Sequence, residues 1–123
     1  MDKRRLLILA DYLDTVVKPE TFDMGHWSDR KSMNECGATG CAIGHATRIP
    51  EFSSEGFKLV RDLLNRHDYV PIYRGLRAQA AVETFFGLTS KEAEMLFMPW
   101  YYDSNERNDP ACVARRIRGM VGT

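Results

Sequence analysis

The amino-acid sequence predicts an α+β domain that is mainly α-helical, with about five helices packed around a central Gly/Ala-rich helix and one short β-hairpin. Apolar residues recur at helical spacing near the start of the chain and through its last third. A stretch of small residues, "GATGCAIGHATR" at 37–48, lies between these regions. Residues 57–60 and 69–73 instead have the alternation and the aromatic or β-branched composition of short strands.

Composition and charge favour one compact domain covering residues 1–123. The 44% hydrophobic and 28% charged residues are ordinary for a globular chain, and 123 residues can bury a core without metals or disulfides. Seventeen basic residues balance seventeen acidic ones, so the chain has no general attraction for nucleic acid or for an anionic membrane. We therefore expect neither of them as a partner.

The cysteine count and the start of the chain predict a cytoplasmic protein. Three cysteines cannot form a complete disulfide framework. Asp11 and Asp14 interrupt the apolar run that a signal peptide requires, and no apolar stretch is long enough to cross a bilayer. Free thiols in a reducing compartment are the expectation.

The first predicted helix covers roughly residues 2–17. Pro19 ends it, because the residue before a proline disfavours helical dihedral angles. In the loop that follows, we expect Phe22, Met24 and Trp27 to be held against the core. The apolar stripe of the helix comprises Leu6, Leu9, Ala10, Leu13, Val16 and Val17.

The central helix is predicted from Gly37 to Arg48. Its glycines each cost about 1 kcal/mol relative to alanine, so the helix can be stable only through tertiary packing. Gly37, Gly40 and Gly44 share one face, on which a neighbouring backbone can lie close. We therefore expect this helix to be buried on most sides.

Residues 54–73 permit two interpretations. The segments "FKLV" and "YVPIY" are typical of two strands of a hairpin, in which Pro71 indicates an edge strand. The alternative is a helix from Ser54 to Arg66 that turns Phe57 and Leu63 inward. The hairpin is the preferred interpretation, and the helix stays open.

Three helices are predicted in the last third of the chain. The first covers residues 76–86 and ends at Gly87, where a left-handed cap is common. The second begins after Thr89, whose capping-box partner is Glu92, and the third is capped by Asp109. Their buried apolar positions are Ala78, Ala81, Val82, Phe85, Phe86, Ala93, Leu96, Phe97, Val113, Ala114, Ile117, Met120 and Val121.

Several segments together resemble a group of small bacterial and phage proteins. They are "CGATGCAIGHATRIPEF", "FFGLTSKEAEMLF" and "DPACVARRIR", with the opening "LADYLDTV…FDMGHW". The pattern of the group is roughly CGT-x-x-CA-x-GHA-x-x-IP-x-F, then FFGL and VA-x-RIR. The resemblance runs along nearly the whole chain and implies a small soluble domain, often encoded near mobile elements. It assigns no catalytic residue, because the group has no settled activity.

The cysteine- and histidine-containing segment is one candidate for nucleophilic catalysis. A thiolate at a helix N-terminus is stabilised by unpaired backbone amides, which suits Cys36 and, to a lesser degree, Cys41. The base would be His45 or, from a distant strand, His67. No residue is evident that would orient the imidazole, so a small cysteine-dependent enzyme is the alternative function.

The same segment is also a candidate metal site. Cys41 and His45 are one helical turn apart, and Cys36 and His26 could complete a tetrahedron around one ion. The spacing Cys-x4-Cys-x3-His matches none of the strong zinc patterns, so we predict no cofactor. The preferred interpretation is structural: the cysteines, Cys112 included, fill the core, and His45 hydrogen-bonds a carbonyl or a carboxylate.

A helix-turn-helix motif is the third possibility. The segment "AAVETFFGLTSKEAEMLF" predicts two helices around a Gly–Leu–Thr turn. Glu92 and Glu94 lie on the helix that would enter DNA, and phosphates repel them. A plain helical hairpin is therefore the expectation.

The aromatic stretch "MPWYYD" at 98–103 predicts the binding surface. Trp and Tyr are enriched at interface hot spots, although for Trp100 and Tyr101 themselves the preferred interpretation is that they close the core. The sequence thus predicts a small soluble protein that acts by protein–protein interaction, with no catalytic activity. The resemblance implies that such a protein is often encoded near mobile elements, and if the gene is phage-borne, the expected partner is a host enzyme or defence system. The predicted contact residues are Trp27, Trp100, Tyr101, Tyr102 and Asp103.

Overall fold

The computed structural model describes residues 1–24, 41–61 and 69–122. Within these ranges the chain forms six α-helices, two short 3₁₀ helices and one three-stranded antiparallel sheet, so the predicted α+β, mainly helical class is confirmed. In chain order the elements are α1 (Lys3–Thr15), a first 3₁₀ helix (Pro19–Thr21), α2 (Ala42–Ala46), α3 (Pro50–Ser54), β1 (Lys58–Arg61), β2 (Tyr69–Tyr73), β3 (Leu76–Arg77), α4 (Gln79–Phe86), α5 (Ser90–Phe97), a second 3₁₀ helix (Pro99–Tyr101) and α6 (Pro110–Val121).

The first and last helices pack against each other more extensively than any other pair of described elements. Both bury apolar stripes against the core. Arg118 of α6 also forms ion pairs with Asp11 and Asp14 of α1. The prediction for Val16 is wrong: α1 ends at Thr15, and Val16 is 49% exposed.

The helix caps predicted at Gly87, Thr89 and Asp109 are confirmed. The Asp109 carboxylate accepts an amide hydrogen bond in the first turn of α6. The Asp2 carboxylate does the same for α1, a cap that the sequence analysis did not predict. Thr89 and Glu92 form the reciprocal capping box at the start of α5, with N···O distances of 3.2 and 2.9 Å. Gly87 ends α4 in the left-handed region at φ 64°.

The two predicted strands pair as expected. β1 and β2 are antiparallel, with Leu59 opposite Pro71, so the helix proposed for 54–66 is wrong. Glu55 ends α3, and Gly56 then takes a φ of 97° that L-residues with side chains rarely adopt. The chain leaves the helix there and continues as β1.

β2 is the central strand of the sheet, so the prediction that Pro71 marks an edge is wrong. The Pro71 carbonyl accepts a hydrogen bond from the Ala78 amide at 2.9 Å and therefore points toward β3. The nitrogen of a strand residue points to the same side as its carbonyl. β3 contains only Leu76 and Arg77, so it ends before the position opposite Pro71. The lack of an N–H on Pro71 therefore removes no hydrogen bond between β2 and β3.

The predicted helix start at Leu76 is also wrong, because Leu76 and Arg77 form β3 and α4 begins at Gln79. Arg74 and Gly75 make a two-residue turn with φ of 50° and 79°, the backbone that returns a chain into an antiparallel strand. Ala78, at φ 55°, then redirects the chain into α4.

An aromatic cluster joins the sheet to α3 and α4. The Phe57 ring stacks on Phe85 with centroids 4.2 Å apart, while Phe52 and Tyr73 approach Phe85 edge-on, each at 4.9 Å. The Arg5 guanidinium lies 4.1 Å from the Phe85 centroid and donates to the Phe85 carbonyl at 2.7 Å. Buried aromatic pairs of this kind contribute about 0.5–1.5 kcal/mol each beyond the area they bury.

Residues 41–46 of the small-residue segment are buried as predicted, whereas Thr47 is half-buried and Arg48 is exposed. The helix in this segment is shorter than the prediction, however. Cys41 has an extended backbone and precedes α2, and Thr47 and Arg48 form a turn before Pro50 opens α3. Residues 37–40 lie outside the described residues. In the described part of the chain, no helix has the length and apolar character that crossing a bilayer requires.

Candidate partner-binding site

The Cys–His segment is a buried corner of the core. Cys41 is 2% and His45 3% exposed. The His45 Nε2–H donates to the Thr21 carbonyl at 2.8 Å, and its ring stacks on Phe22 with centroids 6.0 Å apart. The predicted hydrogen bond from a buried His45 to a backbone carbonyl is therefore confirmed.

Burial decides the charge state of His45. Loss of hydration lowers the pKa of His45 below its ordinary value; the Thr21 carbonyl opposes this change, and Arg48 adds to it. The imidazole is consequently neutral near pH 7, with its proton on Nε2 and directed at Thr21. The other ring nitrogen, Nδ1, is buried and has no hydrogen-bond partner among the described residues.

The remaining members of the predicted catalytic and metal sets, Cys36, His26 and His67, lie outside the described residues. Among those that are described, no cluster of three or more Cys, His, Asp or Glu side chains could hold a metal ion. Cys112 lies in the core as predicted, 4% exposed, and its thiol donates to Glu106 Oε2 at 3.2 Å. Burial, then the Glu106 carboxylate, raises the pKa of Cys112.

The aromatic stretch splits between surface and core. Trp100 is 65% exposed, the largest exposed fraction of any large hydrophobic side chain in the described part of the chain. Tyr101 is half-buried and Asp103 is exposed. Tyr102 is only 3% exposed, so its side chain leaves little surface for a partner to contact. Trp27 lies outside the described residues.

Tyr102 is an anchor for this stretch. Its hydroxyl donates to the Leu96 carbonyl at 2.7 Å, and the Arg116 guanidinium lies 3.8 Å from its ring centroid. Burial raises the pKa of Tyr102, so the hydroxyl remains a donor. Arg107 Nε donates to the Pro99 carbonyl at 3.0 Å. The second 3₁₀ helix is thereby fixed to α5 and α6, and Trp100 extends from a fixed base.

A groove opens beside this 3₁₀ helix, between α5 and α6. It has a volume of about 380 Å³ and is lined by Met95, Leu96, Tyr101, Arg116 and Met120. We call it the methionine groove. Its floor and walls are mainly apolar, and Met95 is 40% exposed.

Cations border the methionine groove. Lys91 Nζ donates to the Tyr101 hydroxyl at 2.7 Å, and Arg116 Nη1 donates to the Tyr101 carbonyl. Arg116 also lies 3.6 Å from Glu106 Oε1. The site therefore combines a mainly apolar floor with an aromatic wall and a rim that carries two cations, Lys91 and Arg116, of which Arg116 is paired with Glu106.

Sequence reasoning missed Met95 and Arg116 as site residues. Met95 lies on α5 outside the predicted buried positions Ala93, Leu96 and Phe97. A methionine on the side of the helix that was expected to face solvent could have indicated a binding surface. The role of Arg116 depends on its contact with Tyr102, which only the fold brings near.

No family model, no curated protein and no solved structure matches this chain.

Proposed function

We propose that this protein is a small binding protein that docks a protein partner through the methionine groove and Trp100. The observation that carries the proposal is the 65% exposed Trp100 on a fixed 3₁₀ helix, next to an apolar groove. Tryptophan is among the residues most enriched at interface hot spots.

The anchoring of the 3₁₀ helix supports the proposal energetically. Burying a large side chain contributes about 1.5–3 kcal/mol when it leaves water. Ordering a mobile loop would offset much of this gain. The Tyr102 and Arg107 hydrogen bonds already order the backbone around Trp100, so a partner would gain most of the burial energy.

The lining of the groove favours an amphipathic helix as the docked element. Methionine side chains adapt their shape to apolar partners, and grooves between helices commonly receive one apolar face of a helix. The basic rim of Lys91 and Arg116 favours acidic residues beside the apolar anchors, since complementary charges speed association. In this proposal the protein acts in the cytoplasm, and a host enzyme or defence component is the partner to seek.

The experiment compares four versions of the full chain as baits in the native host extract: the unchanged protein, Trp100→Ala, Met95→Ala and Val16→Ala. Val16 is the matched control, because it is an exposed apolar side chain on α1. Each protein captured by the unchanged chain is then purified and titrated against all four baits.

We expect a direct partner to bind the unchanged chain and the Val16→Ala variant with equal affinity. Trp100→Ala should weaken binding by about thirtyfold, the effect of a 2 kcal/mol hot spot, and Met95→Ala by a smaller factor. Equal affinity of every captured protein for Trp100→Ala and Val16→Ala would contradict the proposal.

A cysteine-dependent enzyme remains the alternative that the sequence raised. In the described residues, the 2% exposure of Cys41 does not favour it, although the Thr21 carbonyl orients His45 and leaves its Nδ1 unprotonated. A thiol-reactive probe titrated against pH tests this alternative. Thiols that stay inert in the folded protein at every pH would exclude it, whereas an acidic, reactive thiol would support it.

A further inference from the structure

Among the described strands, β1 lies at an edge of the sheet, and its Leu59 lies opposite Pro71. Because the Pro71 carbonyl points toward β3, this pair exchanges no ladder hydrogen bonds, and the N–H and C=O of Leu59 point away from the sheet. Arg61, two residues on, points the same way. Within residues 1–24, 41–61 and 69–122, no main-chain hydrogen bond reaches these outward groups.

The side chains along this edge are basic and apolar. Lys58 and Arg61 are exposed, Leu59 is half-buried, and Val60 is 37% exposed. Two hollows border the strand. One, of about 290 Å³, is lined by Leu59, Val60, Arg61 and Tyr69; the other, of about 380 Å³, includes Val60, Ile72 and Leu76. A strand added at this edge would have hydrogen-bond partners in the main chain of β1 and space for its side chains in the two hollows.

Charge selects the kind of strand that fits. If a second copy paired antiparallel around Arg61, whose main-chain groups point outward, the Arg61 side chains of the two copies would face each other. Like charges on directly opposed strand residues are destabilising, and edge lysines commonly prevent such self-pairing. Lys58 and Arg61 instead attract a strand with carboxylates at the corresponding positions.

We propose that the β1 edge binds an extended acidic segment of a protein partner as a fourth strand of the sheet. The segment has the pattern acidic–apolar–apolar–acidic, so that its carboxylates face Arg61 and Lys58 and its apolar residues face Val60 and Leu59. Its backbone exchanges hydrogen bonds with the outward groups of Leu59 and Arg61. This edge is independent of the methionine groove, since β1 and the groove share no residue.

The test uses two blocked synthetic peptides of equal length, one with a Glu-Val-Leu-Glu core and one with a Lys-Val-Leu-Lys core. Each is titrated into the isotopically labelled full chain, and amide chemical shifts and amide hydrogen exchange are followed. We expect the acidic peptide alone to bind and to slow exchange at the Leu59 and Arg61 amides, because main-chain pairing gives such complexes much of their affinity.

Two variants test the geometry and the charge separately. Lys58→Glu with Arg61→Glu should weaken binding of the acidic peptide by about tenfold or more and favour the lysine peptide. Lys18→Glu with Arg115→Glu makes the same change in net charge at exposed positions elsewhere and should have little effect. Leu59→Pro removes the outward donor while leaving the β1–β2 ladder, since proline is tolerated on edge strands; it should abolish binding.

Other outcomes would overturn the proposal. Equal weakening by both charge-reversal pairs would show only general attraction between opposite charges, and shifts confined to α5 and α6 would place the peptide in the methionine groove. Tighter binding of an oligothymidine than of the acidic peptide at Lys58 and Arg61 would identify a nucleic-acid surface. Self-association that Leu59→Pro abolishes would identify a second copy as the occupant.

Discussion

Residues 41–46, "CAIGHA", and residues 98–103, "MPWYYD", differ in how the fold uses them. All six residues of the first stretch are buried, although half of them are glycine or alanine. The second stretch contains three large aromatic residues, yet only Tyr102 is buried, and Trp100 is 65% exposed. The size of the apolar side chains therefore does not predict which stretch is enclosed.

Close approach and anchoring explain the difference. Small residues let α2 lie against neighbouring elements with little distance between backbones, so even weak helix formers are enclosed. In the aromatic stretch, the hydrogen bonds of Tyr102 to Leu96 and of Arg107 to Pro99 hold the backbone against the core. With its backbone held by these contacts, Trp100 is left on the surface.

The largest expected effect distinguishes the two aromatic roles. Tyr102→Ala should lower the free energy of unfolding by about 4 kcal/mol, because it removes a buried aromatic ring and leaves a cavity. Tyr102→Phe removes only the hydrogen bond to Leu96 and should lower it by about 1 kcal/mol. Urea unfolding measures both, and a change below 1 kcal/mol for Tyr102→Ala would show that the ring is not an anchor.

The next effect tests whether the small-residue stretch is a true core element. Ile43 of α2 is fully buried, so Ile43→Ala should lower the free energy of unfolding by about 3 kcal/mol. Val16→Ala on the exposed side of α1 is the comparison and should change it by less than about 0.5 kcal/mol. Similar values for the two variants, measured by urea unfolding, would mean that α2 is not packed as described.

Much of the fold could be predicted because its signals are local. Caps such as Thr89 with Glu92, the stop at Gly87 and the stripe of α1 depend on residues within one or two turns of each other. The strand position of Pro71 could not be predicted, since it depends on where the short β3 ends. The end of β3 is set by positive φ angles at Arg74 and Ala78, and neither residue type indicates such an angle.

The candidate site was predictable only in part. Trp100 was identified from its residue type, but the exposure of Trp100 and the burial of Tyr102 depend on contacts with α6, which is distant in sequence. The methionine groove forms only where α5 and α6 meet the 3₁₀ helix. The basic residues of β1 were visible as "KLVR", but the position of β1 at an edge of the described sheet follows from the strand order.

His45 gives the buried stretch a pH dependence on the acid side of neutrality. Because burial lowers the pKa of His45 in the folded state, the unfolded chain binds more protons as the pH falls below about 6.5. The free energy of unfolding should therefore decrease on acidification, by at most about 1.4 kcal/mol per pH unit, until the folded-state pKa is reached. Above pH 7 the effect should vanish.

His45→Gln is the matched control for this pH dependence. Glutamine keeps an N–H donor for the Thr21 carbonyl but does not titrate in this range. The difference between the two unfolding curves from pH 7 to pH 5 isolates His45 from the other histidines, which both proteins share. Parallel curves would show that His45 does not remain neutral in the fold.

The smallest expected effect on stability completes the comparison. Trp100→Ala should change the free energy of unfolding by less than about 0.5 kcal/mol, as is usual for surface positions, while it weakens partner binding strongly. Few large side chains can be removed without loss of stability, since most are part of the core. A substitution that weakens binding without lowering stability identifies a residue that contacts the partner. A large loss of stability would instead show that Trp100 anchors the core, as Tyr102 does.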